Sequence, residues 1–235
     1  MRVIEFSRWA DFLRWLEQYR QLSARRREMF LWRGQVDVDA GLLSTLDRRV
    51  RFQSLEERES FIERCLIEFK RDSYTLGLAA DLPDGPALEL LARHHGLPSA
   101  LLDFTLPPYI AAYFAFAGQQ DFQAGKAVIW RIDRARLDVE DQLLEVVDDL
   151  ELLRFNSRAL RQRGVFIRIN QPQTDLAEVL GDAVAKIVLP ASEAKIAMMD
   201  LEIMTINAAY LFDTLDGAAT SAFHRVINTG SLTYD

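Results

Sequence analysis

The chain has 235 residues, 49% hydrophobic and 27% charged, so it can bury a core of its own without disulfide or metal staples. A net charge of −7 argues against a surface coated for nucleic acid, and the single cysteine, Cys65, excludes a disulfide framework or a cysteine-rich metal site. No apolar run reaches signal-peptide or membrane-spanning length, so the expectation is a cytoplasmic protein with no membrane partner. The charge is uneven. Arg25-Arg26-Arg27 and Arg48-Arg49-Val50-Arg51 make the first quarter basic, while 138–151 is acidic. A local basic patch beside a cleft can hold a phosphate-bearing ligand.

In chain order, Ser7 opens an amphipathic helix with Trp9, Phe12, Leu13 and Leu16 on one face. Met29 to Arg33 reads as a short apolar strand closed by Gly34. Ser54-Leu55-Glu56-Glu57 fits a capping box ahead of a long helix carrying Phe61, Ile62, Cys65, Leu66 and Phe69. Asp84-Gly85-Pro86 starts another helix that should stop at Gly96. Lys126 to Ile132 is an expected strand, 138–151 an acidic helix with Val139, Leu143, Val146, Val147 and Leu150, and Val165 to Ile169 an alternating strand. Thr174 begins a short helix, Ala185 to Leu189 a strand, and Ser192 a helix carrying Ile196, Met199 and Ile203. Asp216 begins a last helix. This mixture without regular βαβ alternation predicts an α+β fold with a mixed or antiparallel sheet core and flanking helices. Motifs of common nucleotide folds, ATPases, zincins and α/β-hydrolases are absent.

The richest chemistry lies in His94-His95-Gly96-Leu97-Pro98-Ser99-Ala100-Leu101-Leu102-Asp103-Phe104-Thr105. Two histidines, a carboxylate and hydroxyls fall in one turn-punctuated loop. An alanine-rich segment, Ile110 to Ala117, follows at once, with Pro107 and Pro108 suited to its first turn. Upstream, Arg33 supplies a rigid charged fork for phosphate or ribose oxygens, and Gly34 allows close approach to the backbone. Asp138, Glu140 and Asp141 show no ligand pattern, so no metal is expected.

Phe30-Leu31-Trp32-Arg33-Gly34-Gln35, the stretch Leu88 to Thr105, Ala111-Ala112-Tyr113-Phe114-Ala115 and the late Ile206 to Gly217 together resemble the FRG domain family, with Trp32 where the family's name has Phe. The resemblance implies a single FRG-type domain over 1–235, with the helix at 7–20 as an extension. The order strand-Arg-Gly, Asp103-Phe104-Thr105, Ala112-Tyr113-Phe114-Ala115 and next strand is also similar to ADP-ribosyltransferases. That second resemblance implies an ADP-ribosyltransferase-like fold with NAD as co-substrate. Arg33 would sit on the ribose or phosphate and Gly34 on the nicotinamide amide, with Thr105 in the hydroxyl position and Tyr113 or Phe114 against the nicotinamide. A macromolecular acceptor, protein or nucleic acid, and a toxin or phage-defence setting are implied with it.

One departure matters. Gln162 stands where that superfamily would usually have Glu. Breaking the nicotinamide–ribose bond develops positive charge on the ribose, which a carboxylate stabilises and an amide does not. Asp103 or Glu89 would take the anionic role, with His94 orienting Asp103 or acting as acid or base. Two readings stay open: an NAD-dependent ADP-ribosyltransferase, and a catalytically silent module that binds a nucleotide, nucleic acid or protein. A hydrolase or nuclease using His94 and Asp103 ranks third, because no nucleophile–base–metal set accompanies them.

Overall fold

A computed structural model of the chain describes residues 1–78, 82–118, 125–137 and 142–229. The strands are β1 (Arg2–Glu5), β2 (Phe30–Gln35), β3 (Leu101–Thr105), β4 (Lys126–Asp133), β5 (Leu144–Val147), β6 (Gly164–Ile169) and β7 (Val184–Pro190). They form one sheet in the order β1-β7-β4-β2-β3-β6-β5, with β1 parallel to β7 and every other neighbour antiparallel. The helices are α1 (Trp9–Arg20), α2 (Ala24–Arg27), α3 (Leu55–Thr75), α4 (Gly85–His94), α5 (Pro108–Phe116), α6 (Leu150–Leu153), α7 (Ser157–Arg161), α8 (Leu176–Leu180), α9 (Ala194–Ile203), α10 (Ala208–Phe212) and α11 (Leu215–Thr229). The α+β expectation with a mixed sheet and flanking helices therefore holds.

The sheet is covered on both faces because its strand residues alternate between two cores. Trp32, Ala127, Ile129, Ile187 and Leu189 face α1, α5, α9 and α10. Leu31, Val128, Trp130, Ile132 and Ile167 face the opposite core with Leu42, Leu137 and α8. The helix at 7–20 enters the first core through Trp9, Phe12 and Leu16, each fully buried; side chains of this size contribute about 1.5–3 kcal/mol apiece when buried.

The helix α5 decides the position of everything near it. Nearly all of its side chains are buried, and small residues bring its backbone against β2. A Cβ at Gly34 would lie 1.9 Å from the Ala111 carbonyl oxygen and 2.5 Å from the Ala115 nitrogen. Glycine at 34 is required by helix-to-strand contact.

Several expectations fail for physical reasons. The acidic helix is instead the edge strand β5, with Val146 opposite Ile167, followed by the short α6; sheet pairing overrides the helical spacing. Its proposed members Asp138, Val139, Glu140 and Asp141 lie outside the described residues. Residues 101–105, taken as loop, form β3 and pair along their whole length with β6. Ile196, Met199 and Ile203, the apolar residues by which the sequence marks α9, are all exposed. Its buried face is Ala194, Ala197, Met198 and Leu201, because alanines allow α9 to pack close to the equally alanine-rich α5. Likewise β6 does not alternate: Val165, Phe166 and Ile167 are all buried, since both faces of the sheet are covered.

Candidate functional site

Between β2 and β3 the sheet is joined by one registered pair, Trp32 opposite Thr105. Beyond it the two strands part, while each stays fully paired with its other neighbour, β4 or β6. Side chains fill the gap. Arg33, coming off β2, donates from Nη1 to the Asp103 carbonyl at 2.8 Å and lies 3.5 Å from its Oδ2. Next to this opening is a cavity of about 420 Å³, within the range of small-molecule sites.

The end of α4 supplies the second guanidinium. Gly96, at φ 98°, adopts the left-handed conformation that stops α4 and turns the chain toward β3. That turn lets Arg93, in the last turn, reach Asp103: Nε donates to Oδ1 at 2.7 Å and Nη2 donates to Oδ2. Its Nη1 donates to the hydroxyls of Thr45 at 3.1 Å and Ser99 at 3.0 Å. Arg93 thus ties α4, β3 and the segment around 45 together. A third guanidinium comes from α7. Asn156 caps that helix, accepting from Ala159 N at 2.9 Å, and anchors it to α4 by donating to the Leu90 carbonyl at 3.3 Å. Arg158 then lies over the Phe212 ring at 4.3 Å, facing the cavity.

Burial among these groups pushes the Asp103 carboxyl up, but Arg93 and then Arg33 outweigh it and hold it at about 2. Asp103 is ionised at any physiological pH. Burial lowers Arg33 to about 10, still charged at neutrality, and likewise lowers Arg158. Burial also works against charge on Arg93, but the Asp103 carboxylate more than offsets it, so Arg93 is raised. Among the described residues, Arg33, Arg49, Arg93 and Arg158 line the cavity against one carboxylate, Asp103. A chain of net charge −7 has gathered a local positive excess here. Arg33 Nε is buried and has no hydrogen-bond partner among the described residues.

Arg33, Gly34, His94, Asp103, Thr105, Phe114 and Gln162 all border this cavity, although they are spread over 130 positions of sequence. Tyr113 does not border it. The α5 surface is apolar all round, so its sequence gives no rotation; the ring of Tyr113 points to α10 and packs against Phe212, while Phe114 faces the cleft. Glu89, the alternative acid, borders a different recess. Asp103 is oriented by Arg93 and Arg33, and no hydrogen bond joins it to His94. His94 is half-buried at the rim with its ring against His95, and burial, then His95 and Arg158, lower its pKa, favouring the neutral imidazole. The Thr105 hydroxyl donates to the Gln162 carbonyl, and Gln162 Nε2 donates to the Leu211 carbonyl at 3.1 Å. Sequence reasoning passed over Arg93 and Arg158. Arg93 was inside the quoted motif, one turn before Gly96, where a basic residue ordinarily reads as a helix-dipole partner. Arg158 carries no local signal.

The fold and site together define an α+β protein with a basic, ligand-sized cleft where its sheet parts. Residues 28–124 match the FRG domain family. The match includes Arg33, Arg93 and Asp103, while Arg158 and Gln162 come from beyond it. No curated protein and no solved structure matches the chain. Among the described residues no helix is long and apolar enough to cross a membrane, and no grouping of His, Cys, Asp and Glu could hold a metal.

Proposed function

We propose that this cleft binds NAD as co-substrate for ADP-ribosyl transfer to a macromolecule, protein or nucleic acid. The observation that carries the reading is the guanidinium excess of Arg33, Arg93 and Arg158 in a cavity of ligand size, with Arg33 Nε buried and unpartnered among the described residues. Guanidinium groups suit pyrophosphate oxygens because their paired donors match the geometry of the anion. The ADP-ribosyltransferase-like order supports the choice of NAD: Arg33 and Gly34 on one strand, Thr105 at the end of another, Phe114 on the next helix and Gln162 just before β6 border one space. Asp103 is the carboxylate present for the positive charge that develops on the ribose.

A second reading, a binding module without chemistry, rests on a specific observation. Asp103 is already engaged by two guanidiniums, and the Gln162 amide is given to Leu211. The transfer reading requires NAD binding, whereas a silent module could hold a nucleotide, a nucleic acid or a protein, so NAD binding is tested first. Saturating NAD should raise the melting temperature, since a ligand held only by the native state adds about 2.7 kcal/mol at a hundredfold excess over Kd. Arg158→Ala should abolish most of the shift, because Arg158 makes no ion pair with a described residue whose loss would itself unfold the protein. No shift with NAD would reject the ligand. Labelled NAD and cell extract, with the product divided into protein and nucleic acid, then separates transfer from binding.

A further inference from the structure

On the N-terminal side of α4 lies a second recess, a cavity of about 510 Å³ between α3, α4 and the β5–β6 edge. Its charge is the reverse of the first. Glu59, Glu63, Glu89 and Glu145 line it, with Arg168 as the one lining cation among the described residues. Arg168 is shared three ways: Nη1 donates to both Glu59 oxygens at 3.0 Å, Nη2 donates to Glu89 Oε2, and Nε lies 3.7 Å from Glu145 Oε2. Glu59 also lies 3.5 Å from Arg58, but that buried guanidinium is divided with Asp47 and the Ile169 carbonyl. The lining carboxylates therefore outnumber the guanidinium available to them. One oxygen is left without a donor. Glu89 is 4% exposed, and its Oε1 has no hydrogen-bond partner among the described residues. A buried carboxylate in that state is costly until a cation or N–H donor meets it, and burial accordingly pushes the Glu89 carboxyl up.

The walls say what kind of cation fits. Ile62, Leu66, Leu90 and Val147 give apolar walls in the same recess as the acidic groups. We infer that this recess binds an alkylammonium or alkylguanidinium group, its charged head on Glu89 and Glu145 and its aliphatic stem along the leucine and valine walls. Basic side chains divide in this way wherever apolar surface adjoins carboxylates. A bare metal ion suits the site poorly, since no metal-holding group of His, Cys, Asp and Glu occurs among the described residues. Two sources carry this chemistry, a free diamine-like base and the basic side chain of a polypeptide.

Agmatine is the first probe, followed by calorimetric titration and thermal shift on the whole chain. Saturable binding and a raised melting temperature are expected, with no effect from the neutral N-butylurea. Glu89→Gln keeps the shape and removes the charge, and should weaken agmatine about tenfold or more, the loss of one charge-assisted hydrogen bond. Because Glu89 also holds Arg168, the exposed Glu145→Gln is the second variant; it should weaken binding without lowering the melting temperature. An arginine-containing tripeptide amide binding more tightly than agmatine would assign the site to a polypeptide side chain, and otherwise to a free base. Absence of saturable binding by both probes, or affinity unchanged in both variants, would overturn the inference.

Discussion

Asp103 accepts two hydrogen bonds from Arg93 and lies against Arg33, and this arrangement sets what its loss does. Its carboxyl is held at about 2, below its ordinary 3.8, so the stabilisation it gives is present above pH 4 and disappears as pH falls toward 2. Asp103→Asn should therefore lower stability at neutral pH by about 1–2 kcal/mol, a figure reduced because the side chain is 47% exposed to the cavity. Melting temperatures measured from pH 7 to pH 2 should show the gap between the two proteins closing at the acid end; a constant gap would mean the ion pairs are not its source. At this scale the sequence was partly readable. Arg33, Asp103 and Thr105 announce themselves by residue type and motif. Arg93 does not, because its role depends on the turn at Gly96 folding it back toward β3. Arg158 reaches the cleft only through α7, which the sequence did not mark.

Elements were readable where their own side chains determine them. Ser54 caps α3 as expected, accepting from Glu57 N at 3.2 Å, and Pro107 and Pro108 begin α5. Where a partner decides, the reading failed. The Val146-Val147 pair is strand because β6 lies beside it, and α9 turns its alanines inward because α5 is close. The same close packing yields a sharp expectation. Gly34→Ala would set a methyl against two backbone atoms of α5, neither of which can swing aside as a side chain would. It should cost about 3 kcal/mol or more, at the upper end for overpacked cores. Chemical denaturation would measure this; wild-type stability would mean that α5 can slide along β2.

Across the whole molecule, the sheet consists of two blocks that meet at Trp32 and Thr105. One block contains β1, β7, β4 and β2, the other β3, β6 and β5. The cleft opens where the blocks part, and the guanidiniums that line it come from both sides: Arg33 from β2, Arg93 and Arg158 from elements beside β3. A ligand held by all three spans the seam. Native-state hydrogen exchange should thus find the amides along β2 and β3 at the seam less protected than those of the β4–β7 ladder, and NAD should slow them selectively. Uniform slowing across the sheet would indicate general stabilisation without bridging.

The outermost strand has a consequence for the order of assembly. Arg2–Glu5 pair with Ala185–Val188, so β1 has no sheet neighbour until β7, the last of the seven described strands, is made. The chain also passes back and forth between the two blocks, with β3 and β6 lying between β2 and β7 in sequence and β4 separating β3 from β6. Neither block can be completed early and kept. Distant pairing of this kind delays the return on loop-closure entropy and slows folding. β1 therefore waits as an unpaired edge until β7 is made, which makes nascent chains, more than finished molecules, the form of this protein most exposed to misassociation.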